Sequence, residues 1–258
     1  MKTRLDKLLL EKGLTPSRER AQALILAGKV LVNEQKIDKA GALIDPAAAL
    51  RLLGDDLRYV SRGGLKLEKA LAHWRIDLHE KLCLDVGAST GGFSDCMLQH
   101  GAARVIAIDT GYGQMDFALR KDPRIVLMEK TNARYLTRAD LVEHTNDGDI
   151  AFIAMDVSFI SATQVLPAVI EAAGWRSSST STDRRIVVLV KPQFEVGREL
   201  VGKGGIVRDE AAQHSAVIKV QSALAELGAQ NLESIDSPIL GGEGNREFLL
   251  RGIFNSAR

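Results

Sequence analysis

The sequence is poor in the residues that build covalent or metal-centred scaffolds, with two cysteines and five histidines among 258 residues. Cys83 falls in an apolar run and Cys96 in a helical one. Their spacing matches no metal site, so both read as small buried hydrophobes rather than a disulfide. The histidines are scattered, and no metal is expected. Long apolar runs are missing too: none approaches the roughly 20 residues needed to cross a bilayer, and the basic N-terminus lacks the apolar stretch and cleavage site of a signal peptide. A cytoplasmic protein with no membrane partner is therefore expected. The remaining composition, 45% apolar and 26% charged, is that of an ordinary globular chain, long enough for one full core and a small additional domain.

Two nucleotide signatures are absent as well. The glycine-rich stretch Leu84–Asp95 does not fit Gly-x-Gly-x-x-Gly, because position 89 is Ser, and no Gly-Lys-Ser/Thr follows. The dinucleotide and P-loop patterns are both set aside. What is present is an apolar run, Lys81 to Val86, that turns through Gly87, Gly91 and Gly92 into a helix ending near Gln99. Such a turn brings backbone N–H groups close to a ligand at a helix N-terminus. The next apolar run, Arg104 to Asp109, ends in a carboxylate, where a doubly wound sheet meets a ribose diol.

Asp85-x-Gly87-x-x-x-Gly91-Gly92-Phe93 followed by Asp109 resembles the S-adenosylmethionine (SAM) loop of Rossmann-like methyltransferases, and most closely the FtsJ-like branch, which methylates ribose 2′-hydroxyls. The resemblance implies SAM as cofactor, with Asp85, Gly87, Ser89, Gly91 and Gly92 around its methionine end and Asp109 on its ribose. Asn132, in Glu129-Lys-Thr-Asn132 after the third apolar run, is expected at the adenine edge, with a simple turn role as the alternative.

A formal net charge of +1 conceals an asymmetry, since residues 1–40 carry nine Lys/Arg against five acids. A basic module on a near-neutral body suits a nucleic-acid substrate. Arg4 to Gly13 reads as a short amphipathic helix; Ser17 caps a second helix that stops at Gly28, and Val30-Leu-Val32 begins β structure running to about Leu53. This order, with Ser-Arg-x-x-Ala-x-x-Leu-Ile-x-x-Gly-x-Val-x-Val-Asn, resembles the S4 RNA-binding domain. The resemblance implies that Arg4, Lys7, Arg18, Arg20 and Lys29 face phosphates, contacts that set affinity and register more than base identity.

The domain expectation is 1–58 for the S4-like unit, 59–62 for a linker and 63–258 for the methyltransferase unit. Periodic apolarity breaks over Asp55 to Ser61. Arg62-Gly-Gly-Leu-Lys66 then opens a helix to about Trp74. Apolar runs near 104–109, 124–129, 150–157 and 184–192 alternate with helices near 116–121, 137–144 and 161–174. That alternation predicts an α/β fold with a mostly parallel sheet; the family implies seven strands, the last inserted antiparallel. Closing strands are expected near 232–239 and 246–254 after a helix from Asp209 to Leu227. The serine- and threonine-rich run 177–183 is read as a surface loop. Gln193 to Arg208 is long for a connection and is read as a mobile substrate flap, whose Arg198 and Lys203, with Arg62, are further RNA-binding candidates.

Two apolar runs end at one sheet edge in a charge, Asp156 and Lys191, which calls for a joint explanation. With Lys66 at the start of its helix and Glu247 at the start of the final strand, four ionic residues are expected to share one cleft. Their order and wording (Ser-Arg-Gly-Gly-Leu-Lys66, Asp156-Val-Ser-Phe-Ile-Ser, Val-Lys191-Pro-Gln-Phe-Glu, Gly-Asn-Arg-Glu247) resemble the Lys-Asp-Lys-Glu tetrad of FtsJ-like enzymes and, with the S4 module, the TlyA family. That family, named historically for haemolysis, implies SAM-dependent 2′-O-methylation of a ribosomal RNA ribose, that of a cytidine. The short termini resemble the branch restricted to large-subunit RNA. A membrane-active haemolysin and a catalytically idle RNA-binding assembly factor are the other readings of the chain.

Overall fold

The structure, a computed structural model, describes residues 2–15, 17–53, 58–145, 148–175, 184–241 and 244–254. The expected loop at 177–183, part of the stretch around Asp55 and the end of the chain at Arg258 lie outside the described residues. Two compact units are present, Met1–Arg58 and Tyr59–Arg258.

In the first unit β1 (Thr3–Arg4) leads into α1 (Leu5–Glu11), followed by α2 (Arg18–Leu26) and the strands β2 (Val30–Val32), β3 (Gln35–Lys36), β4 (Leu43–Ile44) and β5 (Leu50–Leu52). Ser17 Oγ accepts from the Arg20 N–H and caps α2, which satisfies one of the helix's orphan donors. Asn33 and Glu34, at φ +48° and +64°, make the tight turn that joins β2 to β3. Leu5, Leu9, Ala21, Ile25 and Val30 close a small core.

The second unit is built on a seven-stranded sheet. It contains α3 (Gly63–Trp74), β6 (Leu82–Val86), α4 (Gly92–Gln99), β7 (Arg104–Ile108), α5 (Phe117–Arg120), β8 (Ile125–Met128), α6 (Arg138–Thr145), β9 (Ile150–Met155), α7 (Ala162–Ala172), β10 (Arg184–Val190), α8 (Pro192–Glu195), α9 (Glu210–Glu226), β11 (Gln230–Asp236) and β12 (Phe248–Phe254). Strand order is β11-β12-β10-β9-β6-β7-β8, parallel from β10 to β8, with β12 antiparallel to both β10 and β11. The near-continuous aliphatic strands are those of a sheet buried on both faces. Leu67, Leu71 and Trp74 of α3 pack with Phe93 and Met97 on one face; α7 and α9 cover the other through Val165, Leu166, Val217 and Val220. Phe152 in β9 is 1% exposed, so truncation to Ala should cost about 3–5 kcal/mol.

The order in which strands are added reverses between β6 and β9, which run parallel, and this makes the gap above them the switch point where open α/β sheets bind ligands. Two expected boundaries shift for local reasons. The fifth parallel strand stops at Val190, because Lys191 becomes the N-cap of α8 and Pro192 its first residue. The strand expected near 232–239 runs instead over Gln230–Asp236, with an irregularity between Gln230 and Glu233. Ser237 Oγ then donates to the Ile239 carbonyl and turns the chain toward the switch point.

Candidate active site

Two adjoining cavities open at the carboxyl edge of the sheet and share Gly87, Ser89 and Asp156. The larger, about 360 Å³, is lined by Val86, Asp109, Gly111, Asn132 and Phe159 among others. Gly87, at φ +88°, sits so close to the Asp156 carbonyl that any Cβ would collide with it. The β6 turn and the end of β9 thus meet main chain to main chain, and only glycine fits. Gly91, at φ +94°, precedes the first residue of α4, Gly92, which lines the smaller cavity of about 250 Å³. Asp109 accepts from the N–H of Ser89 at 2.7 Å and of Gly111 at 2.6 Å, so one carboxylate braces both walls of the larger cavity. Asn132 lines that cavity while its Oδ1 accepts from the Arg134 N–H; its rim position and its turn role coexist. This cradle fits a nucleoside with a charged tail: glycine turns where a side chain would intrude, and a carboxylate at the mouth of β7.

Asp85 is elsewhere. It is fully buried, lines neither cavity, and accepts from Ser94 Oγ at 2.6 Å. Its Oδ1 has no hydrogen-bond partner. Burial pushes its carboxyl up to about 7, with the Ser94 hydrogen bond opposing and the Asp156 charge adding to the rise. The expectation of a direct cofactor contact is corrected to a place behind the glycine turn, where Asp85 fixes α4 through Ser94.

The four ionic residues form two pairs. Lys66 Nζ donates to Glu247 Oε2 at 2.5 Å, with both side chains nearly buried. Lys191 Nζ lies 2.5 Å from Asp156 Oδ1 and donates to Ser158 Oγ at 2.7 Å; the Asp156 oxygen makes no directed hydrogen bond, so that contact is an ion pair alone. Lys66 and Asp156 line the smaller cavity together. Gly241, on the same wall, leaves room for no side chain beside Glu247 and donates its N–H toward this segment's Asn245 carbonyl. Each charge is therefore compensated where it leaves water, as a buried ion must be.

Other contributors sit within the family wording but receive no role from the sequence. Glu195, 6% exposed, accepts from Ser161 Oγ at 2.5 Å and from the Ala162 N–H at 2.7 Å, and pairs with Lys219 at 3.3 Å. Phe159, at φ +64° and 92% exposed, stands on the rim 5.4 Å from Phe194. The connection from Gln193 to Arg208 is built rather than irregular: α8, a 3-10 turn at Arg198–Leu200 and a bridge from Gly202 to Ile206, held by Asn245, which accepts from Val207 N–H and donates to Gly205 carbonyl.

The basic candidates divide. Arg62 is exposed and lines the smaller cavity; Arg198 and Lys203 are exposed on the flap, and Lys29 on the first unit. Lys7 pairs with Glu11 at 3.6 Å. Arg4 and Arg18, expected to face phosphates, both donate to buried Asp6, which also accepts from Gln22. The Arg4 hydrogen bond holds the Asp6 carboxyl well below its ordinary range, against the opposing effect of burial. Arg20 has one guanidinium nitrogen buried without a partner. Among the described residues no cluster of His, Cys, Asp and Glu could hold a metal ion.

Comparison with known proteins follows this geometry. Residues 59–254 match the family described as FtsJ-like methyltransferase, and residues 3–48 match the S4 domain. The 16S/23S rRNA (cytidine-2'-O)-methyltransferase TlyA of Mycobacterium tuberculosis is 42% identical over 250 residues, covering 96% of this chain and 89% of that protein. Hemolysin A of Brachyspira hyodysenteriae is 39% identical over 254 residues, covering 97% and 99%. A solved structure of a candidate hemolysin from Streptococcus thermophilus superimposes with a TM-score of 0.73 at 41% identity, over 99% of this chain and 90% of that one.

Proposed function

This chain belongs to the FtsJ-like methyltransferase family, with an S4 domain ahead of the family's fold, and from that premise we propose that it is a SAM-dependent enzyme methylating the 2′-hydroxyl of a cytidine ribose in ribosomal RNA, with large-subunit RNA as its substrate. The observation that carries this reading is the pair of compensated lysines, Lys66–Glu247 and Lys191–Asp156, beside a glycine cradle. The relative from Mycobacterium tuberculosis, named for cytidine 2′-O-methylation of 16S and 23S rRNA, supports the substrate class.

Gly87, Ser89, Gly91 and Gly92 would hold the methionine end of SAM and Asp109 and Asn132 its nucleoside. When bound, SAM supplies a sulfonium methyl, an electrophile that needs only a nucleophile in line. A ribose hydroxyl is a weak one and must shed its proton as its oxygen attacks. Lys191 meets the hydroxyl and accepts or shares that proton, while Asp156 and Ser158 hold its Nζ in place. Lys66, oriented by Glu247, stabilises the alkoxide as it develops. Arg62 at the cleft, the exposed Arg198 and Lys203 of the connection after β10, and the basic face of the S4 unit bind phosphates. No described helix is long and apolar enough to cross a membrane.

The test is incubation of the protein with methyl-labelled SAM and unmethylated large and small ribosomal subunits, followed by mapping of the labelled nucleotide. Label on a cytidine 2′-oxygen of the large-subunit RNA is expected. SAM binding with no labelled RNA would instead favour an idle assembly factor.

A further inference from the structure

The chain has seven Phe, three Tyr and two Trp, all within the described residues, and only Tyr112, Phe117, Tyr135 and Phe159 are exposed, at 71%, 67%, 70% and 92%. Single exposed rings need no explanation, but these four all lie along one edge of the sheet. Tyr112 and Phe117 follow β7, Tyr135 follows β8 and Phe159 follows β9, all at the carboxyl edge of the sheet. The edge at the amino ends of these strands has none. Three of the rings also carry a cation on one face: Lys130 Nζ lies 4.5 Å from the Tyr112 centroid, Lys121 Nζ 4.0 Å from Phe117, and the Arg134 guanidinium carbon 5.7 Å from Tyr135.

The local frame is cross-linked by hydrogen bonds. Arg120 and the Gly113 N–H both bind Glu129, tying the segment after β7 to the end of β8. The Lys130 N–H donates to the Gly111 carbonyl, the Tyr135 N–H to Asn132. Rings and cations are thus presented on loops tied to one another by hydrogen bonds. A surface that interleaves aromatic faces with cations matches single-stranded nucleic acid, whose bases stack while its phosphates pair. A-form duplex keeps its base faces stacked inside and offers no such partner.

We infer that Tyr112, Phe117 and Tyr135, with Lys121, Lys130 and Arg134, form a second RNA-docking surface, on the methyltransferase unit itself, that takes unpaired nucleotides flanking the methylation site. The inference rests on the reading of the enzyme as RNA-directed and adds where, and in which strand state, RNA is held. None of the three rings lines either cavity, so cofactor binding should be independent of them.

The experiment uses the full chain, a fluorescent single-stranded RNA of mixed sequence and the same sequence closed into a duplex. The triple variant Tyr112→Ala, Phe117→Ala, Tyr135→Ala should bind the single strand at least tenfold more weakly, leaving duplex affinity, SAM affinity and the slope of log K against log salt unchanged. Lys121→Gln with Lys130→Gln should instead flatten that slope, by roughly 0.7 per lost phosphate contact. Replacing the rings by Trp should restore binding. Unchanged single-strand affinity in the triple variant overturns the surface, as does equal loss on the duplex. Retained RNA affinity with lost association to intact subunits overturns it in favour of a protein partner. Failure of the unmodified protein to bind or methylate any RNA defeats the underlying reading instead, a distinct result.

Discussion

Glu195 accepts from Ser161 Oγ at 2.5 Å across two neighbouring loops, and that bond closes a series of pairings between the segments that leave β9 and β10. Asp156 and Ser158 meet Lys191, Phe159 meets Phe194, and Ser161 and Ala162 meet Glu195. The two loops run in step, so the position of Lys191 depends on a carboxylate four residues away. Glu195→Gln, which keeps the acceptor shape, should retain most activity. Glu195→Ala leaves buried donors unpartnered, at about 1–3 kcal/mol, and should lower kcat severalfold with KM for SAM unchanged. Steady-state kinetics on both variants beside thermal melts separate this from simple loss of fold; equal kcat in both would remove Glu195 from the alignment of the site.

Lys191→Ala should abolish methyl transfer while SAM affinity, read by calorimetry, stays within about twofold. For the second pair, Lys66→Ala strands Glu247 as an uncompensated charge in a buried setting, and a destabilisation of about 3–5 kcal/mol is expected. The double replacement Lys66→Met with Glu247→Met should recover much of that stability and none of the activity. Turnover by the double variant would reduce the pair to a structural role.

Asp85 and Asp6 make opposite contributions to the pH dependence of stability. The folded value for Asp85 is raised to about 7 from about 3.9 in an unfolded chain. The folded state therefore binds the extra proton, and stability falls as pH climbs from 4 to 7. Asp85→Asn removes that slope and should gain roughly 2–4 kcal/mol on the native protein over this range, measured by urea denaturation in a pH series. A parallel pair of curves would show that Asp85 is ionised throughout.

Asp6 has its carboxyl depressed by Arg4, so its contribution is complete above about pH 4 and is lost only as acid protonates it. Asp6→Asn should cost about 1–3 kcal/mol at neutral pH, with the gap to the native protein closing below pH 4. Because Asp6 gathers Arg4 and Arg18 onto one face, the variant should also weaken RNA binding severalfold without altering its salt slope. Loss of slope would mean that the guanidiniums themselves had left the RNA.

Much of this was legible in the sequence because its signals are local. The apolar runs of β7, β9 and β10 are nearly continuous, Ser17 and Asp209 announce their helices, and Gly87 can be read as a turn without knowing what lies opposite. Lys191 was legible as a charge ending an apolar run. What stayed hidden depends on pairing across long separations. Asp6 counts in the sequence as one acid among several, yet it is the hub of two arginines. Asp85 reads as part of the cofactor turn, although the strand's pleat sends its side chain inward to Ser94. Glu195 and Asn245 look like ordinary loop residues, because nothing nearby in sequence names Ser161 or Val207 as their partners. Exposed rings cannot be told from buried ones by composition alone.

The collision that any side chain at position 87 would make with the Asp156 carbonyl has a further consequence. The reach from the glycine turn to Asp156 is set by two stretches of backbone in contact, not by a rotamer that could wander. Side chains around the turn can be exchanged while the distance from the glycine turn to that carboxylate keeps its length.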